Sequence, residues 1–292
     1  MHARLIDGKG IAAQVRAECA DRVRALTSRG VTPSLAVILV GDDPASAVYV
    51  RNKGRAAHKA GITDQTLRLP AETTEAELLE RVRGFNADPA VHGILVQLPL
   101  PRHISAEQVI LTVAPEKDVD CFHPENVGLV AAGRPRFLPC TPAGVRELLR
   151  REEVPTAGRH VVIVGRSDIV GRPLANMLLW KGATGDATVT VCHSRTPDLA
   201  THTRQADILV AAVGVPELIR GDMIREGAVV IDVGVNRVED ESRPRGYRLA
   251  GDVHFESACQ RAAAITPVPG GVGPMTIAML LSNTVSSAES ER

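Results

Sequence analysis

His160-Val161-Val162-Ile163-Val164-Gly165-Arg166-Ser167-Asp168-Ile169-Val170-Gly171-Arg172-Pro173 is an apolar, β-branched run, a glycine-bearing turn, then the start of a helical pattern over Pro173–Lys181. Such a strand–turn–helix lets backbone N–H groups and a helix N-terminus face a phosphate. The glycines, Gly165 and Gly171, depart from the G-x-G-x-x-G spacing, so an ordinary βα turn is the plain alternative. The next apolar run, Thr188–Cys192, ends in His193-Ser194-Arg195-Thr196. An NAD-binding unit would carry an acidic residue near there. A hydroxyl and an arginine suit an adenosine 2′-phosphate instead, with Arg166 as a second positive charge, so NADP is expected rather than NAD. A solvated loop with an unrelated arginine is the other possibility. Further on, Ala211-Ala212-Val213-Gly214 and Val233-Gly234-Val235-Asn236 each end a strand-like run with small residues. They leave room for a nicotinamide or ribose, or are simply turns.

The same alternation extends over most of the chain. Strand-like runs lie at Leu35–Val40, Gly93–Leu98, Asp207–Val213 and Val229–Val233, and helical patterns at Gly10–Ser28, Pro44–Ala60, Thr74–Asn86 and Thr141–Arg150. Near-continuous apolar strands between helices predict an α/β fold with parallel sheets covered on both faces. One helix is well marked: Asp43 can cap it, Pro44 suits its first turn and Gly61 can end it. A domain change is expected near Gly133–Pro142. The polar segment Arg237–Leu249 reads as a surface excursion, and Ser286–Arg292 as a frayed tail.

At 292 residues the chain is long enough for two domains. Aromatics are only 2% of it, so the core must be mostly aliphatic. Lys+Arg and Asp+Glu are both 34, which argues against a broad basic surface for nucleic acid or an anionic membrane. No apolar stretch approaches a membrane span and the first residues lack a signal-peptide pattern, so a cytoplasmic location is expected. The five cysteines are far apart without a C-x-x-C, so neither a metal site nor a structural disulfide is expected.

Chemistry-bearing residues gather in the first half. Tyr49 and Lys53, four apart, share one face of the capped helix. An amine beside apolar surface and a phenol can exchange protons near neutrality, although a lysine stem lying along a tyrosine in solvent has the same spacing. Gln97 sits within the apolar run Gly93–Pro101. A buried amide left unpaired costs about 1–3 kcal/mol, so it needs a partner: a lysine, a ligand or the backbone. Pro115-Glu116-Lys117-Asp118-Val119-Asp120-Cys121-Phe122-His123-Pro124 places carboxylates in a loop that could accept two parallel N–H donors, as a pterin edge presents, or could be a charged turn. Thr266-Pro267-Val268-Pro269-Gly270-Gly271-Val272-Gly273-Pro274-Met275-Thr276 has a rigid, irregular composition ahead of an apolar helix, Ile277–Val285. It could lay amides against a flat ring or join domains.

Taken in order, Tyr49-x-x-x-Lys53, Val96-Gln97-Leu98-Pro99-Leu100-Pro101, Lys117-Asp118-Val119-Asp120, Pro139-Cys140-Thr141-Pro142, Val164-Gly165-Arg166-Ser167, His193-Ser194-Arg195-Thr196 and Pro267–Thr276 resemble the bifunctional methylenetetrahydrofolate dehydrogenase/cyclohydrolase family. The match runs from about Asp7 to Val285. The resemblance implies two α/β domains flanking a cleft: a folate-binding catalytic domain, 1–138, completed by a C-terminal helix, 274–292, and a Rossmann-type NADP domain, 139–273. It implies a homodimer that oxidises methylenetetrahydrofolate with NADP and hydrolyses the methenyl product to 10-formyltetrahydrofolate.

By the same resemblance Lys53 is the main catalytic residue of the hydrolysis, with Tyr49, Gln97 and Asp120 assisting. Val96, Leu98, Pro99, Pro269, Gly270 and Gly271 join Tyr49 and Asp120 in binding the folate. The cofactor falls to Gly165, Arg166, Ser167, Ile169, Gly171, His193, Ser194, Arg195, Val213, Gly214, Val235 and Thr276. The family pattern follows Asp-Val-Asp with glycine, where this chain has Cys121. If that position needs a positive φ, a cysteine is strained there. A monofunctional, NAD-dependent dehydrogenase is the nearer alternative, against which Arg195 and Lys53 both argue. A non-catalytic nucleotide-binding module is the more distant one.

Overall fold

The computed structural model describes residues 3–243 and 246–290. In chain order the elements are β1 (Arg4–Leu5), α1 (Gly8–Thr27), β2 (Ser34–Val40), α2 (Pro44–Ala60), β3 (Thr63–Leu69), α3 (Glu75–Ala87), β4 (Gly93–Val96), α4 (Ala106–Thr112), α5 (Pro124–Ala131) and α6 (Cys140–Arg151). There follow β5 (His160–Val164), α7 (Gly171–Leu178), β6 (Thr188–Cys192), α8 (Leu199–Thr203), β7 (Ile208–Ala211), β8 (Val229–Asp232), β9 (Asn236–Glu239), β10 (Tyr247–Ala250), α9 (Phe255–Ala258), β11 (Ala264–Ile265) and α10 (Val272–Ser290). The chain forms two compact units, residues 13–140 with 277–292, and residues 1–12 with 141–276.

The first unit is built on a parallel sheet in the order β3-β2-β4. Every residue of the central strand β2, Ser-Leu-Ala-Val-Ile-Leu-Val, is buried, as a strand covered on both faces requires. Ala36, Ile38 and Val40 of β2 pack with Leu78 and Val82 of α3 and with Ile94 and Val109 in one apolar cluster. Helix α2 is capped as its sequence predicts: the Asp43 carboxylate accepts from the Ser46 amide at 2.7 Å, and Gly61 closes the helix at φ 80°. The last turns of α10 belong to this unit. There Asn283 Nδ2 donates to the carbonyls of Val119 (2.8 Å) and Leu138 (2.7 Å), and Arg22 of α1 pairs with Glu289 at 2.7 Å.

The second unit carries a six-stranded parallel sheet ordered β1-β11-β8-β7-β5-β6. The chain steps from β5 outward to β6, then back across to β7, so the strand order reverses between β5 and β7. In a doubly wound sheet the ligand crevice lies at the carboxyl ends of such a pair. The sheet core is aliphatic, centred on Val162, Val164, Leu209, Ala211, Val230 and Ile265.

Two expectations need correction, the grouping of residues 1–12 and the fraying of the tail, while the surface excursion at Arg237–Leu249 gains internal structure. Residues 1–12, expected with the folate domain, group with the second unit because Arg4 and Leu5 pair in parallel with Ala264 and Ile265. The segment Arg237–Leu249 contains an antiparallel hairpin, β9 with β10, in which the Arg237 guanidinium lies 4.0 Å from the centre of the Tyr247 ring. Residues 286–290 of the expected frayed tail continue α10, with Ser287 buried and its hydroxyl donating to the Glu116 carbonyl at 3.2 Å. Glu291 and Arg292 lie outside the described residues.

Candidate active site

In the first unit α2 and β4 bring two of the expected polar residues together. Lys53 is only 7% exposed, and its Nζ donates to Gln97 Oε1 at 3.0 Å. Gln97 Nε2 donates to the Leu98 carbonyl at 2.7 Å, which leaves the amide oxygen for the lysine. The half-buried amide thus uses two kinds of partner, a side chain and the backbone. Tyr49, one turn before Lys53 on α2, is 41% exposed. Val96 ends β4 half-buried, Leu98 is half-buried and Pro99 is exposed.

The Lys117–Asp120 run divides its work. Lys117 is buried and donates to the carbonyls of Phe85 (3.3 Å), Asn86 (2.9 Å) and Asp88 (2.7 Å), where α3 ends. Asp118 is buried and accepts from the amides of Phe122 (3.2 Å) and His123 (2.8 Å) and from Asn126 Nδ2 (2.9 Å). Both are consumed in shaping the loop. Asp120 takes neither role. Burial pushes its carboxyl above the ordinary aspartate range, Lys53 draws it down, the nearby Asp118 charge raises it and a hydrogen bond with Cys140 lowers it. Lys53, Asp120 and Cys140 therefore share one electrostatic neighbourhood, in which burial raises the Cys140 thiol well above its ordinary value and the Asp120 charge raises it further. Cys140 belongs to the quoted Pro139-Cys140-Thr141-Pro142 motif, but nothing in that short stretch points to its place beside Asp120. Cys121 is buried at φ 63°, the left-handed region that glycine would favour.

In the second unit the turn after β5 is drawn tight by close backbone approach. A Cβ on Gly165 (φ 132°) would sit 2.1 Å from the Ala212 carbonyl oxygen, and one on Gly171 would sit 2.1 Å from the Gly165 oxygen. Helix α7 starts at Gly171, and no side chain caps its first amides. Arg166, Ser167 and Ile169 are exposed along the turn, where the Ser167 hydroxyl accepts from the Val170 amide at 3.2 Å. The loop after β6 is an ordered turn. His193 N donates to Thr196 Oγ1 (2.9 Å), and His193 Nδ1 accepts from the Arg195 amide (3.1 Å). Ser194 and Arg195 are exposed there, and among the described residues no carboxylate pairs with Arg166 or Arg195.

Val213 is half-buried, and Gly214 (φ 68°) and Val235 are exposed beyond the ends of β7 and β8. Pro269 is exposed, Gly270 adopts φ 113°, and Gly271 is buried where Gly8 packs so close that a Cβ on Gly8 would lie 1.9 Å from its oxygen. Thr276 is half-buried in the first turn of α10, its hydroxyl 3.0 Å from that of Thr141.

A doubly wound parallel sheet with a glycine-bearing turn at its switch point defines a dinucleotide-binding domain, here joined to a second α/β unit with a buried lysine. Residues 6–120 match the family of tetrahydrofolate dehydrogenase/cyclohydrolase catalytic domains, and residues 139–292 match the corresponding NAD(P)-binding domains. The chain belongs to the tetrahydrofolate dehydrogenase/cyclohydrolase family. It is 60% identical over 284 residues to the bifunctional protein FolD of Desulfovibrio desulfuricans, covering 97% of each chain. It is 59% identical over 288 residues to that of Moorella thermoacetica, covering 99% of each. Among solved structures, the Campylobacter jejuni bifunctional FolD superposes with a TM-score of 0.93 at 48% identity, over 99% of this chain and 100% of that one. The Trypanosoma brucei FolD, solved with NADP cofactor and an inhibitor, gives 0.93 at 45% identity, over 99% and 98%.

Proposed function

We propose that this chain oxidises 5,10-methylenetetrahydrofolate to 5,10-methenyltetrahydrofolate with NADP and hydrolyses that product to 10-formyltetrahydrofolate. The observation that carries the hydrolytic half is the buried Lys53 amine held at 3.0 Å by an amide oxygen that is itself fixed by its neighbour's backbone. Attack of water on the methenyl carbon needs a proton moved, and in this reading Lys53 holds or accepts it. Gln97 fixes which way the amine faces. Asp120 clamps the amino edge of the pterin, and Tyr49, Val96, Leu98 and Pro99 of the same unit shape the folate surface, the family resemblance adding Pro269, Gly270 and Gly271.

The second unit fits NADP. Gly165 and Gly171 let backbone pack on backbone where a Cβ would clash with the Ala212 and Gly165 carbonyl oxygens, which draws the turn tight, and the Gly171 amide at the start of α7 would face the diphosphate. Arg166, Ser194 and Arg195 hold the 2′-phosphate, while Ser167, Ile169, Gly171, His193, Val213, Gly214, Val235 and Thr276 line the remainder. When bound, NADP supplies the hydride acceptor. The folate nitrogens stabilise the resulting cation, so the oxidation needs positioning more than acid–base help.

The family resemblance implies a homodimer, which sedimentation velocity would test by particle mass. The five free thiols suit a reducing, cytoplasmic location. Among the described residues no helix is long and apolar enough to cross a membrane.

A spectrophotometric assay with methylenetetrahydrofolate, run side by side with NADP and NAD, tests the whole assignment. Turnover with NADP well above NAD, followed by hydrolysis, is expected. Folded protein showing neither activity refutes it. Lys53→Met is expected to lower cyclohydrolase turnover by at least about a hundredfold, the scale of a lost acid–base group. Near-normal hydrolysis would exclude Lys53 from that role.

A further inference from the structure

Two aspartates unassigned above, Asp232 at the end of β8 and Asp252 after β10, lie buried beneath the loops given to the cofactor. Asp252 is fully buried, and its carboxylate accepts three bonds. One oxygen takes the amides of Val213 (2.6 Å) and Gly214 (3.0 Å), and the other takes Asn236 Nδ2 (2.9 Å). The Val213 and Gly214 amides lie past the last sheet bonds at the end of β7, from Ala212 N to the Val164 oxygen and from Val233 N to the Ala211 oxygen, both 2.8 Å. Asp252 therefore fixes the loops rather than the sheet. Asp232 forms the tier below. It accepts from the amides of Gly234 (3.0 Å), Asp252 (2.9 Å) and Val253 (2.9 Å), so it holds the segment that presents Asp252.

Two glycines are explained by these carboxylates. A Cβ on Gly251 would lie 1.8 Å from an Asp232 oxygen, and one on Gly234 would lie 2.2 Å from an Asp252 oxygen. A carboxyl buried this completely is costly unless its oxygens are hydrogen-bonded, and an apolar residue there would leave the Val213 and Gly214 amides without their acceptor. What the carboxylate adds is a fixed relation between the loop after β7 and the loop after β8.

We infer that Asp252 is a positioning residue for the cofactor: it ties the Val213–Gly214 loop to the Val235–Asn236 loop and so sets the surface on which the nicotinamide end of NADP rests. This rests on the proposed assignment of Val213, Gly214 and Val235 to the cofactor. Asp252 touches neither substrate nor hydride and acts through those two loops.

The test uses the full-length enzyme. Asp252→Ala removes all three acceptor contacts, and the KM for NADP is expected to rise about tenfold or more, with a fall in dehydrogenase kcat. Asp252→Asn keeps one oxygen for the Val213 and Gly214 amides and should lie between wild type and Asp252→Ala. Hydrolysis of methenyltetrahydrofolate assayed without NADP should keep its wild-type rate in both, a separation that general loss of structure would not produce. If Asp252→Ala does not fold, Asp252→Asn decides, with a KM for NADP raised at least about threefold expected. An unchanged KM for NADP in the folded variants, or parallel loss of both activities in Asp252→Asn, overturns the inference. Hydrogen exchange of the wild-type enzyme with and without NADP separates the two layers. Protection at residues 213–214 and 235 is expected. Its absence removes the cofactor assignment of these loops and the inference with it, whereas protection alongside an unchanged Asp252→Asn removes the inference alone.

Discussion

Cys121 shows how one residue can carry a backbone cost without losing its place. It sits at φ 63° with its thiol buried and donating to the Phe137 carbonyl at 3.3 Å. A non-glycine residue in that region costs about 1–2 kcal/mol, but glycine costs about 0.5–1 kcal/mol more chain entropy and would give up the buried sulfur. These effects nearly cancel, so Cys121→Gly should shift unfolding free energy by no more than about 1 kcal/mol. Cys121→Val, β-branched at a positive φ, should lose about 2 kcal/mol or more, read from urea melts. Equal stabilities for the two variants would show that the backbone there is relaxed. Asp232 carries a pH signature of its own. Its carboxyl is pushed up to about 7, chiefly by burial and with Asp252 adding, against the pull of the Val253, Asp252 and Gly234 amides. An unfolded aspartate titrates near 3.9, so between about pH 4 and pH 7 the native state keeps a proton that the unfolded chain has lost. Stability from this group is complete below about pH 4 and is lost as pH rises through about 7. Asp232→Asn should flatten that decline in urea midpoints measured across the window. Parallel declines in variant and wild type would assign the titration elsewhere.

Elements were legible by apolar continuity or by residue type. His160–Val164 announced itself by apolar continuity and is almost wholly buried, whereas the edge strand Thr188–Cys192, with only Cys192 buried, was legible from its β-branched residues instead, and both strands have those bounds. The strand β3, Thr-Asp-Gln-Thr-Leu-Arg-Leu, was missed because it is an edge strand bonded only to β2, with alternate residues exposed and polar. The two-residue strands β1 and β11 and the short helices α4, α5, α8 and α9 span too few residues for a period to show. In the site, the need to pair the Gln97 amide was legible but not its partner, and only the family resemblance pointed to Lys53. The two-tier clamp of Asp232 and Asp252 left no such trace, because its partners are backbone amides supplied by distant segments, and an aspartate beside glycine at a strand end reads as a turn. The best-marked element allows a direct test. Asp43 caps the helix that carries Tyr49 and Lys53, and Asp43→Ala should cost about 1 kcal/mol. In a chain this large that is a fall in Tm of about 2–4 °C. No change in a thermal melt would mean that the cap bond is replaced by solvent.

Neither compact unit is a continuous stretch of chain. Residues 1–12 supply β1 to the sheet of the second unit, and residues 277–290 return to the first. The return of the C-terminal helix is what the family resemblance implies, whereas the passage of residues 1–12 into the second unit left no mark in the sequence because β1 is only two residues long. The C-terminal turns matter energetically as well as topologically. Leu280, Leu281 and Val285 are buried in the first unit, and at about 1.5–3 kcal/mol each their burial is comparable to the whole stability of a domain. Asn283 adds two bonds to the Val119 and Leu138 carbonyls, which flank the Asp120–Cys140 neighbourhood. A chain ending at Thr276 should therefore lose cooperative unfolding of the first unit and with it cyclohydrolase activity, although Lys53, Gln97 and Asp120 are all still present. Restoring residues 277–290 should recover both. The decisive comparison is cyclohydrolase rate and thermal melt for the truncated and full chains. A truncated chain that hydrolyses methenyltetrahydrofolate at the full rate would show that the first unit is held together without its C-terminal helix.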